Sequence, residues 1–210
     1  MQKIKNIIFD LGGILLNIDF KIATENFRKL GVNDFDNFFR QDHVSQIFAD
    51  LETGKITPAD FYEEFLTQTG IKTSYQELVS AWNSLLLDFP PKRIEWLKGL
   101  RQNYRLFLFS NTNKIHYDAF IESFREMTGE DFNSYFTKAF YSHEMGLRKP
   151  FPEGFEFILK EQNLNPAETL FIDDTLQNVE AAGLLGMKTI HIKPPMTILD
   201  PEVQNIITEA

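Results

Sequence analysis

Lys3 to Asn17 reads KIKNIIFDLGGILLN, and the rest of the chain makes most sense as its support. Ile7, Ile8 and Phe9 form a short apolar run with β-branched members, the composition of a strand buried on both faces. Asp10 ends that run, and Gly12 and Gly13 break it. Open α/β sheets place their ligands at the C-terminal ends of parallel strands, so a carboxylate there is a candidate for holding one. The glycines let the backbone turn sharply and come close to whatever Asp10 holds. A strand that simply ends in an acidic turn is the plainer alternative, and this stretch alone leaves both open.

Outward from Asn17 the pattern is helical for about seventy residues. Phe27 and Leu30 share one face of a first helix, and Phe35, Phe38 and Phe39 share a face of a second. Thr57-Pro58-Ala59-Asp60 is a helix start, with a Thr cap, Pro at the first position and an acid in the first turn. Ser74 and Glu77 read as a capping box for the helix carrying Val79, Trp82, Leu85 and Leu86. The phenylalanines of this region predict the core of a small helical unit. Phe89-Pro90-Pro91 closes it, and the pattern then alternates between helices and strands. Ile94, Leu97 and Leu100 mark a helix; 104–109, 138–142, 170–172 and 188–192 read as strands. Strands separated by helix-length segments imply a parallel sheet with right-handed crossovers. The expected fold is therefore α/β, a Rossmann-like parallel-sheet core of residues 1–17 and 90–210, with a helical-bundle cap of residues 18–89 inserted after the first strand.

Composition narrows the function. The 210 residues are 43% apolar, ample for a core, and include 21 Phe. A net charge of −9 and a pI near 5.0 argue against nucleic acid, because no extended face could neutralise phosphates. No run of 18 apolar residues and no signal-peptide pattern occur, so no membrane association and a cytoplasmic location are expected. With no Cys, disulfides, thiolate ligands and Cys nucleophiles are excluded together.

Three strands end in polar residues of complementary kind: Asp10, then Ser110-Asn111, then Asp173-Asp174. Gly146-Leu147-Arg148-Lys149-Pro150 lies between the latter two. Carboxylates from two strand ends can share a hard ion such as Mg²⁺, which prefers oxygen ligands. A hydroxyl, an amide and an ammonium around it suit a phosphoryl group, and Asp10 could attack phosphorus to form an acyl phosphate. Taken singly, Ser110-Asn111 reads as a helix cap and Lys149 as a solvated loop charge; their order along the chain favours the joint reading.

FDLGG at 9–13, FSNTN at 109–113, GLRKP at 146–150 and FIDDTLQNVEAAGLLG at 171–186 resemble the four motifs of the haloacid dehalogenase superfamily. The helical insert sits where that superfamily places a C1 cap. GLRKP and the DD-x-x-x-N pattern are similar to those of a bacterial subgroup that includes an α-glucose-1-phosphate phosphatase. The resemblance implies that Asp10 is the nucleophile and a Mg²⁺ ligand, and that Ser110 and Asn111 hold phosphoryl oxygens, with Arg148 a further substrate-binding candidate. It implies that Lys149 offsets charge on nucleophile and phosphate, and that Asp174 is the second direct metal ligand, with Asp173 and Asn178 ordering waters or neighbouring groups. Most phosphatases of the superfamily carry a general-acid Asp where this chain has Gly12, whose carbonyl can still coordinate metal. A substitute proton donor would be water, a cap residue or His116, although His116 reads better as a hydrogen-bonded helical histidine.

The function expected is a Mg²⁺-dependent phosphatase of a small phosphorylated metabolite, a sugar phosphate among the candidates, working through an aspartyl phosphate. A metal-independent dehalogenase is the first alternative, which Asp173-Asp174 disfavours. A pseudo-phosphatase that binds phosphate ligands or a protein partner through the cap is the second, with Gly12 as its support. Neither substrate nor protein partner is specified by the sequence. Glu52-Thr53-Gly54-Lys55 reads as a helix–helix connection, with a cap loop facing the site as the second reading.

Overall fold

In the computed structural model, which describes residues 3–40 and 43–209, strand β1 (Asn6–Phe9) is the middle of a five-stranded sheet. The other strands are β4 (Arg105–Ser110), β5 (Lys138–Tyr141), β6 (Thr169–Asp173) and β7 (Lys188–His191), all parallel, in the order β5-β4-β1-β6-β7. Ile8 lies between Phe107 of β4 and Phe171 of β6, and Ile7, Ile8 and Phe9 have no exposed surface. Both faces of the sheet are covered, as a wholly apolar parallel strand requires. Ile7, Phe9, Leu108 and Ile172 face a core that includes residues of α5 (Pro91–Leu100), α6 (Lys114–Thr128) and α10 (Pro201–Glu209). Ile8, Phe107, Phe109 and Phe171 face the opposite core, against α8 (Pro152–Glu161) and α9 (Leu176–Leu184). A short α7 (Ser142–Met145) follows β5 directly. The expected α/β sheet of parallel strands is present.

Between β1 and α5 lie α1 (Phe20–Lys29), a hairpin of β2 (Phe39–Arg40) and β3 (His43–Val44), α2 (Gln46–Glu52), α3 (Pro58–Thr69) and α4 (Tyr75–Asn83). They share a separate core in which Phe27 stacks on Phe35 at 4.0 Å and Phe48 meets Trp82 edge-on at 5.0 Å. The capping boxes at Thr57 and Ser74 are both formed. The helix expected over Phe35, Phe38 and Phe39 is not. Phe35–Asn37 is a single 3₁₀ turn, and Phe39 pairs with Val44 in the hairpin. The spacing fitted a helix, but Asp34, Asp36 and Asn37 favour turns by competing for backbone groups. The chain leaves and re-enters the sheet region through two segments bonded side by side: Asn17 N–H donates to the Asp88 carbonyl, Leu87 N–H to that of Asn17, and Asp19 N–H to that of Leu85, all at 2.9 Å. Among the described residues no helix is long and apolar enough to cross a membrane.

Candidate active site

The register of the sheet brings three strand ends together. Asp10 follows β1 and donates its N–H to the Ile172 carbonyl at 2.9 Å, one residue before Asp173 ends β6; Ser110 ends β4 on the other side. Lys149, 1% exposed, reaches between them. Its Nζ lies 2.6 Å from Asp10 Oδ1 and 2.7 Å from Asp173 Oδ2. A buried ammonium demands such partners, since losing water without them is prohibitively costly. The backbone that delivers it is clamped by Asn111, whose Nδ2 donates to the Lys149 carbonyl and whose Oδ1 accepts the Lys149 N–H, each at 2.9 Å. Asp173 is held from behind by the Thr175 N–H at 2.8 Å and by Asn178 Nδ2 at 3.0 and 3.1 Å. Fully buried, it positions Lys149 and does not line the cavity, whereas Asp10 and Asp174 do.

Charge at this point is unbalanced. Oxygens of Asp10, Asp173 and Asp174 lie within 4.8 Å of one another. Burial, helped by the repulsion of Asp173 and Asp174 and opposed by Lys149, raises the Asp10 carboxyl to about 7. Burial and Asp173 raise Asp174 to about 6. Burial works against the Lys149 ammonium, yet Asp10 and Asp173 outweigh it and lift its pKa above the ordinary lysine value. Three clustered carboxylates with one ammonium form an all-oxygen donor set short of positive charge, which fits a hard divalent cation. Gly13 permits the approach of Asp174: its φ is +72°, and a Cβ there would lie 2.5 Å from Asp174 Oδ2.

A cavity of about 360 Å³ opens over Asp10 and Asp174. The helical unit supplies part of its wall through Phe20, Phe39 and Glu52. Glu52, at the end of α2 and 5% exposed, meets the Arg148 guanidinium at 2.9 Å. The segment after it is no free connection: Gly54 has φ +65°, and a Cβ there would strike the His143 carbonyl oxygen of α7. Gly12 has ordinary φ, and its added Cβ would meet only the end of the Ile18 side chain. Ser110 lines a smaller, apolar cavity of about 80 Å³ that Gly12 and Glu52 also border.

His116 lies on that smaller cavity too, but it is spoken for. Its Nε2 faces the Trp82 carbonyl at 3.2 Å and its Nδ1 faces Asn113 Nδ2 at 3.3 Å. These partners fix Nε2–H as donor and Nδ1 as acceptor. Burial lowers its pKa to about 3, so it is neutral near neutral pH and carries no spare proton. Glu52, Phe20 and Phe39 are among the wall residues that sequence motifs did not single out for the site. Only the Glu52-Thr53-Gly54-Lys55 segment carried a signal, as a glycine break in a helical pattern.

The family model of haloacid dehalogenase-like hydrolases matches residues 4–186. Over 188 residues the chain is 33% identical to the D-ribitol-5-phosphate phosphatase of Bacteroides thetaiotaomicron, covering 90% of this chain and 91% of that protein. A crystal structure of a wild-type HAD family enzyme from the same organism, in complex with magnesium and inorganic phosphate, superposes with a TM-score of 0.83 at 36% identity, over 91% of this chain and 96% of that one. A HAD-like hydrolase from Porphyromonas gingivalis superposes over the full length of both chains, with a TM-score of 0.90 at 30% identity.

Proposed function

The chain belongs to the haloacid dehalogenase-like hydrolases, and from that premise we propose that it is a Mg²⁺-dependent phosphatase of small phosphorylated polyols or sugars. The observation that carries this reading is Lys149, buried between Asp10 and Asp173, with Asp174 facing the same cavity as Asp10. The similarity to a D-ribitol-5-phosphate phosphatase supports it. In this reading residues 18–89 act as a cap over the site.

Asp10 attacks phosphorus through a carboxylate oxygen while the bond from phosphorus to the ester oxygen breaks. The product is an acyl phosphate on Asp10 and an alkoxide that takes a proton from solvent or a neighbouring group. Water then attacks that phosphorus, the acyl phosphate bond breaks, and inorganic phosphate leaves with the Asp10 carboxylate restored. Asp10, Asp174 and the Gly12 carbonyl would hold Mg²⁺, which offsets charge on the phosphoryl oxygens and on the carboxylates when bound. Lys149 supplies the fixed positive charge against the transferring group. Asn111 and Asn178 keep it there, the first through its backbone and the second through Asp173. In this reading Ser110, which ends β4, and Asn111 after it would donate to phosphoryl oxygens.

Hydrolysis of D-ribitol 5-phosphate and of p-nitrophenyl phosphate, measured with Mg²⁺ and with excess chelator, tests the proposal. Metal-dependent release of phosphate is expected from both. Release of halide from a 2-haloacid without metal, or absence of any phosphate release, would overturn it.

A further inference from the structure

The cavity contains a second charged pair that takes no part in the reaction described. Glu52 comes from the end of α2, and Arg148 precedes Lys149, so their charges meet where the helical unit and the sheet share the cavity wall. The pair is buried, with side-chain exposures of 7% and 17%. A buried guanidinium and carboxylate normally join through two aligned hydrogen bonds. Here Arg148 Nη2 is 2.9 Å from Glu52 Oε2 without that alignment, and both Glu52 Oε2 and Arg148 Nε lack a hydrogen-bond partner. These two atoms are enclosed, but the side chains that carry them border the cavity, so a ligand there meets a guanidinium and a carboxylate whose mutual bonding is incomplete. Burial also holds the Glu52 carboxyl above the usual carboxylate range.

What completes them must accept from a guanidinium and donate to a carboxylate. A hydroxyl does both, and two adjacent hydroxyls can serve both residues together. An apolar chain does neither. Glu52 and Arg148 line the same cavity as Asp10, Lys149 and Asp174, so a hydroxylated chain esterified at the phosphoryl site lies in the cavity that the pair borders. We propose that Glu52 and Arg148 form a subsite that reads vicinal hydroxyls of the leaving group, selecting alditol and aldose phosphates over plain alkyl phosphates. This inference rests on the phosphatase reading and assigns its specificity to two named side chains.

The test compares D-ribitol 5-phosphate, pentyl phosphate and p-nitrophenyl phosphate on the wild type and on Glu52→Gln, with Mg²⁺ saturating. The first two esters have the same carbon count and differ in hydroxyls. The wild type is expected to favour the ribitol ester in kcat/KM. Glu52→Gln should narrow that preference by about 10- to 100-fold, the worth of a hydrogen bond to a charged group. Equal loss on the ribitol and pentyl esters, with the aryl ester spared, would make Glu52 a proton donor and overturn the subsite. A wild type that treats both alkyl esters alike would overturn it without any variant. As a readout independent of the variant's folding, ribitol 5-phosphate should compete with the aryl ester on the wild type more strongly than pentyl phosphate does. Loss of all three activities in the wild type would fell the phosphatase reading itself, a result distinct from hydrolysis without selectivity.

Discussion

Asp10 shares one ammonium with Asp173 while Asp174 stands nearby, and substitutions at these residues have separable consequences. Asp10→Asn keeps the size of the side chain and removes the proposed nucleophile, so turnover should fall to background while circular dichroism shows an intact fold. Asp174→Asn should raise the Mg²⁺ concentration needed for half-maximal activity and also change the metal-free protein. The Asp174 pKa is raised to about 6 from 3.8, so the folded state keeps its proton where the unfolded state has lost it. Stability therefore declines as pH rises from about 4 to about 6 and stays lower above that. Metal-free Asp174→Asn should thus melt higher than wild type at pH 8, by the equivalent of about 1–3 kcal/mol, and show no gain at pH 4. Gly12→Asp restores the acid found in most of the superfamily. Because its φ is ordinary and only the Ile18 side chain must shift, the substitution is tolerable, and it should speed alkyl esters more than p-nitrophenyl phosphate. Equal change in the chemical step for both ester types would show that the missing acid is not limiting. Asp10, Lys149 and Asp174 were legible in the sequence because each lies at a strand end or within a short motif. The pairing of Glu52 with Arg148 was not, since it depends on how a helix end and a loop 96 positions apart meet in space.

Among the elements, the turn after α2 packs against α7, and two glycines can separate contact from backbone strain. Gly54 and Gly70 have φ of +65° and +69°, so alanine at either place costs about 1 kcal/mol in strain. At Gly70 nothing lies within 4 Å of the added Cβ, while at Gly54 it strikes the His143 carbonyl. Gly70→Ala should lower Tm by a few degrees. Gly54→Ala should lower it further and also reduce kcat/KM, because Glu52 is two residues away; equal Tm losses with no kinetic difference would contradict the contact. Elements with their own local signals were readable: the apolar strands, the two capping boxes and the break at Phe89-Pro90-Pro91. The hairpin at 39–44 was not, because two-residue strands have no period to detect and their pairing is decided by the aromatic core beneath them. α10 was missed as well; Val203 and Ile207 are buried in the core while Ile206 is exposed, and so few apolar positions in a short polar tail give little pattern.

At the scale of the whole molecule, acid acts on two sets of groups in opposite directions. His116 is held neutral, with its pKa at about 3, and His143 is lowered to about 4, so below pH 6.5 the unfolded chain gains protons that the folded chain refuses. His116 alone should remove about 2 kcal/mol of stability by pH 5. Asp10 and Asp174, raised in the absence of metal, work the other way over part of that range. Tm should therefore fall more steeply between pH 7 and 5 with saturating Mg²⁺ than with chelator, and His116→Gln should flatten the slope in both; an unchanged slope would remove His116 from this account. The position of β1 has a consequence in time. It is made before the other strands of its sheet and bonds only to strands made long afterwards, Asn6 pairing with Arg105 of β4 and Thr169 of β6. At about 5–20 residues per second the ribosome takes roughly 5–20 s to reach the nearer of them. For that period the nascent chain displays Ile7, Ile8 and Phe9 with neither flanking strand available, so during synthesis the segment ending in Asp10 is a natural binding site for a chaperone that recognises extended apolar peptides.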